Sequence, residues 1–247
     1  SLSLGRQDYL IGTGLLIADG GSDGGEDGGW YLAMRKAFQE TVIASLKSNR
    51  LVAEGFFLKN RPRRGGVQGD AAGANLEYTF SGGLTTGLTY MVVDARLPDT
   101  EDLDVWSGRL GWNGLGGLEL NGEYVLEDSR QIDADGWYGE IGWWFADSAW
   151  APRISYRYAD FDGDDPNTAT DERFREIAYG YTDYGSWFQG EISGNYPLGN
   201  GNLQSHQFRV KTQQDEALTL NFLYYDFSFN VPAGLGPALT SDDWGDE

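Results

Sequence analysis

The chain has 247 residues, 40% hydrophobic and 14% aromatic, with 38 acidic against 18 basic side chains and a net charge of −20. So acidic a chain repels nucleic-acid phosphates, and no stretch of about 18 apolar residues is present to form a membrane helix. Cysteine is absent, which removes disulfides and thiolate metal sites and is compatible with an exported β-barrel.

Ser1 to Gln7 already lies inside an alternating run with no turn before it, and Gly20 to Gly29 is a glycine-rich acidic loop. That loop lacks the lysine and following helix of a phosphate cradle. From Arg50 to Phe229 one unit repeats: a run with apolar residues at every second position, a short turn, another such run, then a longer polar connection. Short turns fall at Ser48-Asn49, Ser81-Gly82-Gly83, Leu115-Gly116-Gly117, Ser148-Ala149-Trp150 and Gln214-Asp215-Glu216. The longer connections are Arg61 to Gly73, Pro98 to Leu103, Arg130 to Asp135 and Asp162 to Asn202.

Parity within the runs is consistent. Leu76, Tyr78 and Phe80 alternate with Asn75, Glu77 and Thr79, and Trp106, Leu110 and Trp112 with Ser107, Arg109 and Asn113. Leu118, Leu120, Tyr124 and Leu126 oppose Glu119, Asn121, Glu123 and Glu127, and Trp137, Ile141, Trp143 and Phe145 oppose Tyr138, Glu140 and Trp144. Ile154, Tyr156 and Tyr158 oppose Arg153, Ser155 and Arg157, and Phe208 and Val210 oppose Gln207, Arg209 and Lys211. The spacing of roughly 33 residues between the first four turns is also that of helical solenoids, but period-2 alternation inside each unit excludes helices.

These features predict an all-β fold: an antiparallel up-and-down transmembrane β-barrel, with short periplasmic turns on one rim and long extracellular loops on the other. Tryptophan and tyrosine near the run ends match interfacial aromatic girdles. About eleven strands are counted. Single-chain bacterial barrels have even counts and lipid does not tolerate open edges, so the chain is expected to be one domain, residues 1–247, truncated at both ends of a larger barrel whose leader has been removed.

A family resemblance follows from particular segments. Leu4-Gly5-Arg6-Gln7, Gly12-Thr13-Gly14-Leu15-Leu16, Ala37-Phe38-Gln39-Glu40-Thr41, and Asp183-Tyr184-Gly185-Ser186-Trp187-Phe188-Gln189-Gly190-Glu191-Ile192-Ser193-Gly194-Asn195-Tyr196 with Asn202-Leu203 occur in that order. Together they resemble the alginate-export family of outer-membrane porins. The resemblance implies a many-stranded barrel in the bacterial outer membrane that carries alginate, a polyuronate, through a pore lined by basic side chains and partly closed by loops. It implies no cofactor. Lipid and lipopolysaccharide, the anionic polysaccharide or a small solute, and periplasmic export partners are the partners it implies. The acidic balance departs from the electropositive lumen such a conduit needs.

The basic residues at inward parity are Arg109, Arg153, Arg157, Arg209 and Lys211, with Arg6 added because it lies in a matched motif. Two readings are open for this pore-lining set: a ladder passing a polyuronate from one guanidinium to the next, or cross-strand braces paired with Glu119, Glu123 and Glu140. The segment from residue 162 to 202 is the expected functional loop, extracellular or folded into the lumen. Thr170 to Gly180 is expected to form a short helix, and Tyr184, Trp187, Phe188, Glu191 and Tyr196 to narrow the barrel mouth or rest on its outer rim. Asp160, Asp162 and Asp164 have the spacing that starts a calcium loop, but Asp165 stands where a glycine is needed and Asp171 where a glutamate is, so a solvated loop is expected.

Catalysis finds no support. The lone His206 is at outward parity, and Ser205 points to the opposite face. The expected function is therefore passive transport of an anionic, alginate-like polysaccharide or related solute. Uptake of small acids or sugars, or a plugged structural or adhesive barrel, are the alternatives.

Overall fold

The structure, a computed structural model, describes residues 1–18, 38–59, 70–94, 102–178, 188–190, 193, 198–213, 218–231 and 243–246. Its strands are β1 (Leu2–Gln7), β2 (Phe38–Lys47), β3 (Leu51–Lys59), β4 (Ala71–Thr79), β5 (Leu84–Val93) and β6 (Leu103–Asn113). They continue as β7 (Leu118–Asp128), β8 (Asp133–Trp144), β9 (Arg153–Phe161), β10 (Leu203–Gln213), β11 (Thr219–Ser228) and β12 (Asp243–Asp246). Each pairs antiparallel with its chain neighbours, giving one up-and-down sheet in the order β1 to β12. Eleven strands correspond to the alternating runs, and the four-residue β12 holds only two periods of alternation. No ladder joins β1 to β12 among the described residues.

The short turns work by different means. Gly82 and Gly83 have φ of 102° and 82°, a left-handed region closed to most L-residues, and they let the chain reverse between β4 and β5. The connection after β8 is longer than the three-residue turn expected. It runs from Phe145 to Pro152 with Trp150 and Ala151 at positive φ, and it is closed by Phe145 N–H donating to Pro152 O at 2.9 Å. Conversely, the connection read as a longer loop at Arg130 to Asp135 is a tight reversal between β7 and β8. Ser129 Oγ accepts from the N–H groups of Gln131 and Ile132 at 3.2 and 3.1 Å, a serine turn that needs no extra length.

No helix forms in the described part of 170–180. Asp171 and Ala178 instead make isolated parallel bridges to Ile132 and Ile17, because buried backbone groups there find partners in neighbouring chain rather than in their own turn. Among the described residues no helix is long and apolar enough to cross a membrane, which leaves crossing by strands untouched.

The two sheet faces have opposite chemistry. On one, Leu88, Trp106, Leu110, Tyr124, Ile141, Trp143, Ile154, Tyr156, Phe208 and Phe222 are exposed. On the other, Glu123, Glu127, Glu140, Ser155, Arg157, Gln207 and Arg209 are buried. The greasy face looks outward and the charged face is covered, the reverse of a soluble β-sandwich.

Candidate functional site

The covered face changes character along the strands. Near the rim of the long connections its side chains are apolar: Leu58, Ala71, Met91, Val93, Leu103, Val105, Val125, Ala134, Ala159, Phe161, Leu203 and Phe227, all buried. Two segments lie on this half. The first is residues 8–18, between β1 and β2, which bury Tyr9, Ile11, Leu15, Leu16 and Ile17. The second comes from the 162–202 connection and buries Phe174, Ile177, Ala178 and Phe188.

Residues 8–18 form a strap that crosses several strands. Tyr9 Oη donates to Glu54 Oε2 on β3 at 3.0 Å, and Tyr138 Oη on β8 donates to Thr13 Oγ1 at 3.2 Å. Burial and the Glu54 carboxylate hold the Tyr9 phenol well above its usual pKa, so it stays a neutral donor. Gly12, at φ 56°, lies against Arg109 of β6 so closely that a Cβ there would sit 2.5 Å from Arg109 Cδ. Only glycine fits both conditions. Ala18 N–H donates to Ala178 O at 2.7 Å and Ala178 N–H to Leu16 O at 3.0 Å, so strap and loop share a short backbone ladder.

The loop is anchored in turn to the wall. Glu127 Oε2 accepts from Arg175 N–H at 2.8 Å, and Asp162 Oδ2 accepts from Asp135 N–H at 2.8 Å. Burial, with the charges of Asp135, Asp160 and Glu172, raises the pKa of the Asp162 carboxyl. Phe188 sits between Tyr138 and Phe161, with ring centroids 5.3 and 5.8 Å away, and Phe174 lies 5.2 Å from Phe161. Behind it, Gln207 Nε2 donates to Gln189 Oε1 and Gln189 Nε2 to Asn200 Oδ1, at 3.1 and 3.2 Å, all three residues being fully buried. Tyr184, Trp187, Glu191 and Tyr196 lie outside the described residues, as do Asp23, Glu26 and Asp27 of the acidic loop.

From mid-strand, under the edge of that cover, to the short-turn rim the same face is charged. Arg109 is held by Glu77 at 3.1 Å and Glu123 at 3.8 Å, by Thr89 at 2.7 Å and by Asn75; Ser107 donates to Glu123 at 2.6 Å. Arg157 places Nε and Nη2 on Glu140 Oε2 at 3.0 and 2.7 Å, and its guanidinium lies 4.9 Å from the Tyr138 ring and 4.8 Å from Phe188. Arg153 pairs with Glu119, reaching past β8 to β7. Arg209 is buried, Lys211 is half-buried, and Arg6, beside a register shift in β1, is exposed.

Arg109, Arg153 and Arg157, among the six basic residues singled out from the sequence, are therefore paired to carboxylates across strands. Their accessibility differs: the Arg157 side chain is 2% exposed and Arg153 is 25% exposed. Inward positions of β2–β10 carry the carboxylates Glu54, Glu77, Glu119, Glu123, Glu127 and Glu140 and the cations Lys47, Arg109, Arg153, Arg157, Arg209 and Lys211. Six face six, so the described wall is neutral on this face despite the charge of −20. Part of the acid sits instead at outward positions near the long-loop rim, where Tyr90, Tyr124 and Tyr158 donate to Asp104, Asp135 and Asp160 at 2.6, 2.8 and 3.3 Å.

Asp160, Asp162 and Asp164 do not converge. Asp160 accepts from Asn230, Asp162 from the backbone of Asp135 and Asp164 from that of Glu172, and the described residues contain no cluster of three possible metal ligands. His206 is exposed on the outward face with Nδ1 2.7 Å from Tyr156 Oη, while Ser205 is buried on the other face.

The strap was not foreseen from the sequence. Its signal is the contiguous Leu15-Leu16-Ile17, an apolar triplet that breaks the period and has no place in a solvated connection.

This architecture, an up-and-down β-sheet wall with an exposed apolar face and a charge-paired covered face, is of barrel type. Comparison of the chain with models of known protein families and with curated proteins finds no match.

Proposed function

We propose that this chain forms wall of a membrane-spanning β-barrel channel of the outer-membrane type, narrowed at its long-loop end by the strap and the 162–202 connection. One observation carries this reading: large apolar side chains are exposed on one face while ion pairs are buried on the other. In water that arrangement would leave a continuous greasy surface exposed, whereas in a bilayer the same surface meets hydrocarbon. Lipid and, at the rim of outward carboxylates, lipopolysaccharide bridged by divalent cations are the proposed partners of the outer face. The edges of β1 and β12 must be paired in the membrane, since unsatisfied backbone groups cost several kcal/mol each in lipid.

The cargo proposed is an anionic polysaccharide or a related hydrophilic solute, in line with the resemblance to alginate exporters. The neutral inner wall supports passage of a hydrophilic solute without strong capture by either sign of charge, and it is not the electropositive wall that the resemblance implies for a polyuronate. A plugged structural barrel is the second reading, favoured by the apolar packing of Ile11, Leu15, Ile17 and Phe188 against the wall.

Planar-bilayer recording of the full-length protein separates the two. A channel conducts in the wild type or after Ile17→Asp, which puts a charge into the strap's apolar contact. Silence in both would leave the plugged barrel.

A further inference from the structure

Of the aromatic residues at inward positions, Phe56, Tyr138, Phe161, Tyr225 and Phe227 are all buried. Trp144, the last residue of β8, is the exception among the described strand residues, at 48% exposure. It stands at the short-turn rim in a row of inward side chains that runs across neighbouring strands. Arg153 on β9 is its register partner, Lys211 on β10 is the partner of Arg153, and Asn113 on β6 is the partner of Glu119 on β7. Glu119 and Arg153 keep 15% and 25% of their side chains accessible while pairing with each other. A cleft of about 550 Å³ opens over this rim, lined by Asn113, Glu119 and Trp144 of the inward row and by Leu118, Trp143 and Phe145 of the outward one, with Arg153 beside it through its pairing to Glu119. Gly117, at φ 94°, forms part of its floor, and a Cβ there would collide with the carbonyl oxygen of Trp144.

We propose that this cleft is a subsite for one pyranose ring of a saccharide at the short-turn mouth. The proposal rests on the channel reading above for its place on the solute path. A half-exposed indole offers a flat apolar plate with a negative π-face, to which the C–H face of a pyranose is complementary. Hydroxyls around the ring edge then need donors and acceptors close to that plate, and Asn113 and Glu119 supply both in the lining itself. A lipid-facing anchor would put its ring at outward parity, as Trp106, Trp137 and Trp143 do. A carboxylate on the sugar would in addition draw on Arg153, whose pairing to Glu119 at a partly solvated rim is weak enough to be shared.

The test is isothermal titration of the full-length protein in detergent with two probes, neutral maltohexaose and acidic hexamannuronate. Trp144→Leu, which keeps apolar bulk without the plate, should weaken binding of both about five- to tenfold. Trp144→Phe should restore most of it, and Trp137→Ala, at the opposite rim, should leave it unchanged. Arg153→Lys should weaken hexamannuronate alone. Wild-type binding that Trp144→Leu leaves unchanged overturns the subsite, as does failure of the wild type to bind either probe. Should Trp144→Leu not fold, Trp144→Thr, which suits an exposed strand end and has no ring, carries the comparison, and binding unchanged from the wild type overturns the subsite. Conductance of the same proteins and of Ile17→Asp is recorded in parallel: Trp144-dependent binding with silence in both the wild type and Ile17→Asp refutes the channel reading and leaves the subsite standing.

Discussion

Arg157 and Arg153 stand four residues apart on β9, face the same way, and pair with glutamates, yet they occupy different chemistry. Arg157 lies under Phe188 and against Tyr138 in the half of the wall that strap and loop cover, whereas Arg153 stands at the open short-turn half beside Trp144. The covered half has the properties of a protein core, with close-packed rings and aliphatics and an ion pair excluded from water. The other half carries charges that are neutralised in place and partly accessible, as in the Arg153–Glu119 pair. On the channel reading proposed above, one sheet combines a closure and a path, with the boundary at the Arg109 and Arg157 clusters.

The largest expected effect breaks the covered half. Arg157→Ala leaves Glu140 buried without its partner, a loss of about 3–5 kcal/mol for a pair of this kind. Arg153→Gln, at the solvated rim, should cost less than about 1 kcal/mol. Urea unfolding of the two variants in micelles checks the contrast, and equal losses would erase the distinction between the halves.

Next comes the closure itself. Phe188→Ala removes a ring packed between Tyr138 and Phe161, with an expected cost of about 3–5 kcal/mol that falls mainly on local anchoring of the loop. Faster hydrogen exchange in residues 174–178 and 198–202 and larger single-channel conductance should appear together. Loosening without any gain in conductance would mean that this loop does not restrict the path.

Gly12→Ala should act more modestly and on the strap alone. A Cβ at that positive φ is strained and meets the Arg109 side chain, for an expected total of about 1–3 kcal/mol. Protease sensitivity within residues 8–18 is the readout, with β3–β9 unchanged.

The smallest effect concerns Asp162. Its carboxyl holds a proton more tightly folded than unfolded, so it favours the folded loop at acid pH, and that contribution is lost as pH rises from the ordinary aspartate value through the raised one. Asp162→Asn keeps an acceptor for the Asp135 N–H and should abolish this slope. Exchange of the Asp135 and Phe174 amides measured between about pH 4 and about pH 7 should become flatter, with a change at neutral pH below about 1 kcal/mol.

Much of the wall was legible in the sequence because a strand with one greasy and one polar face writes its period into consecutive residues. Trp106 to Trp112, Leu118 to Leu126 and Ile154 to Tyr158 read directly as the outward face, and the antiparallel order followed from the short turns between them. The connection expected from Arg130 to Asp135 is shorter in the structure because its serine turn uses ordinary polar residues, and β12, with four residues, holds only two periods of alternation. The inward strap left only the triplet Leu15-Leu16-Ile17, since a segment that packs against several distant strands has no repeat of its own.

The residues, by their order alone, determined the strands, their parity and the candidate inward cations, because alternation is a local property of the chain. Tertiary structure decided what those cations do. Glu140 meets Arg157 through strand register, Glu119 meets Arg153 by reaching past an intervening strand, and Phe188 covers one pair but not the other. Those contacts join residues far apart in sequence, and their strength depends on how much water the fold leaves beside them, a quantity that no local pattern encodes.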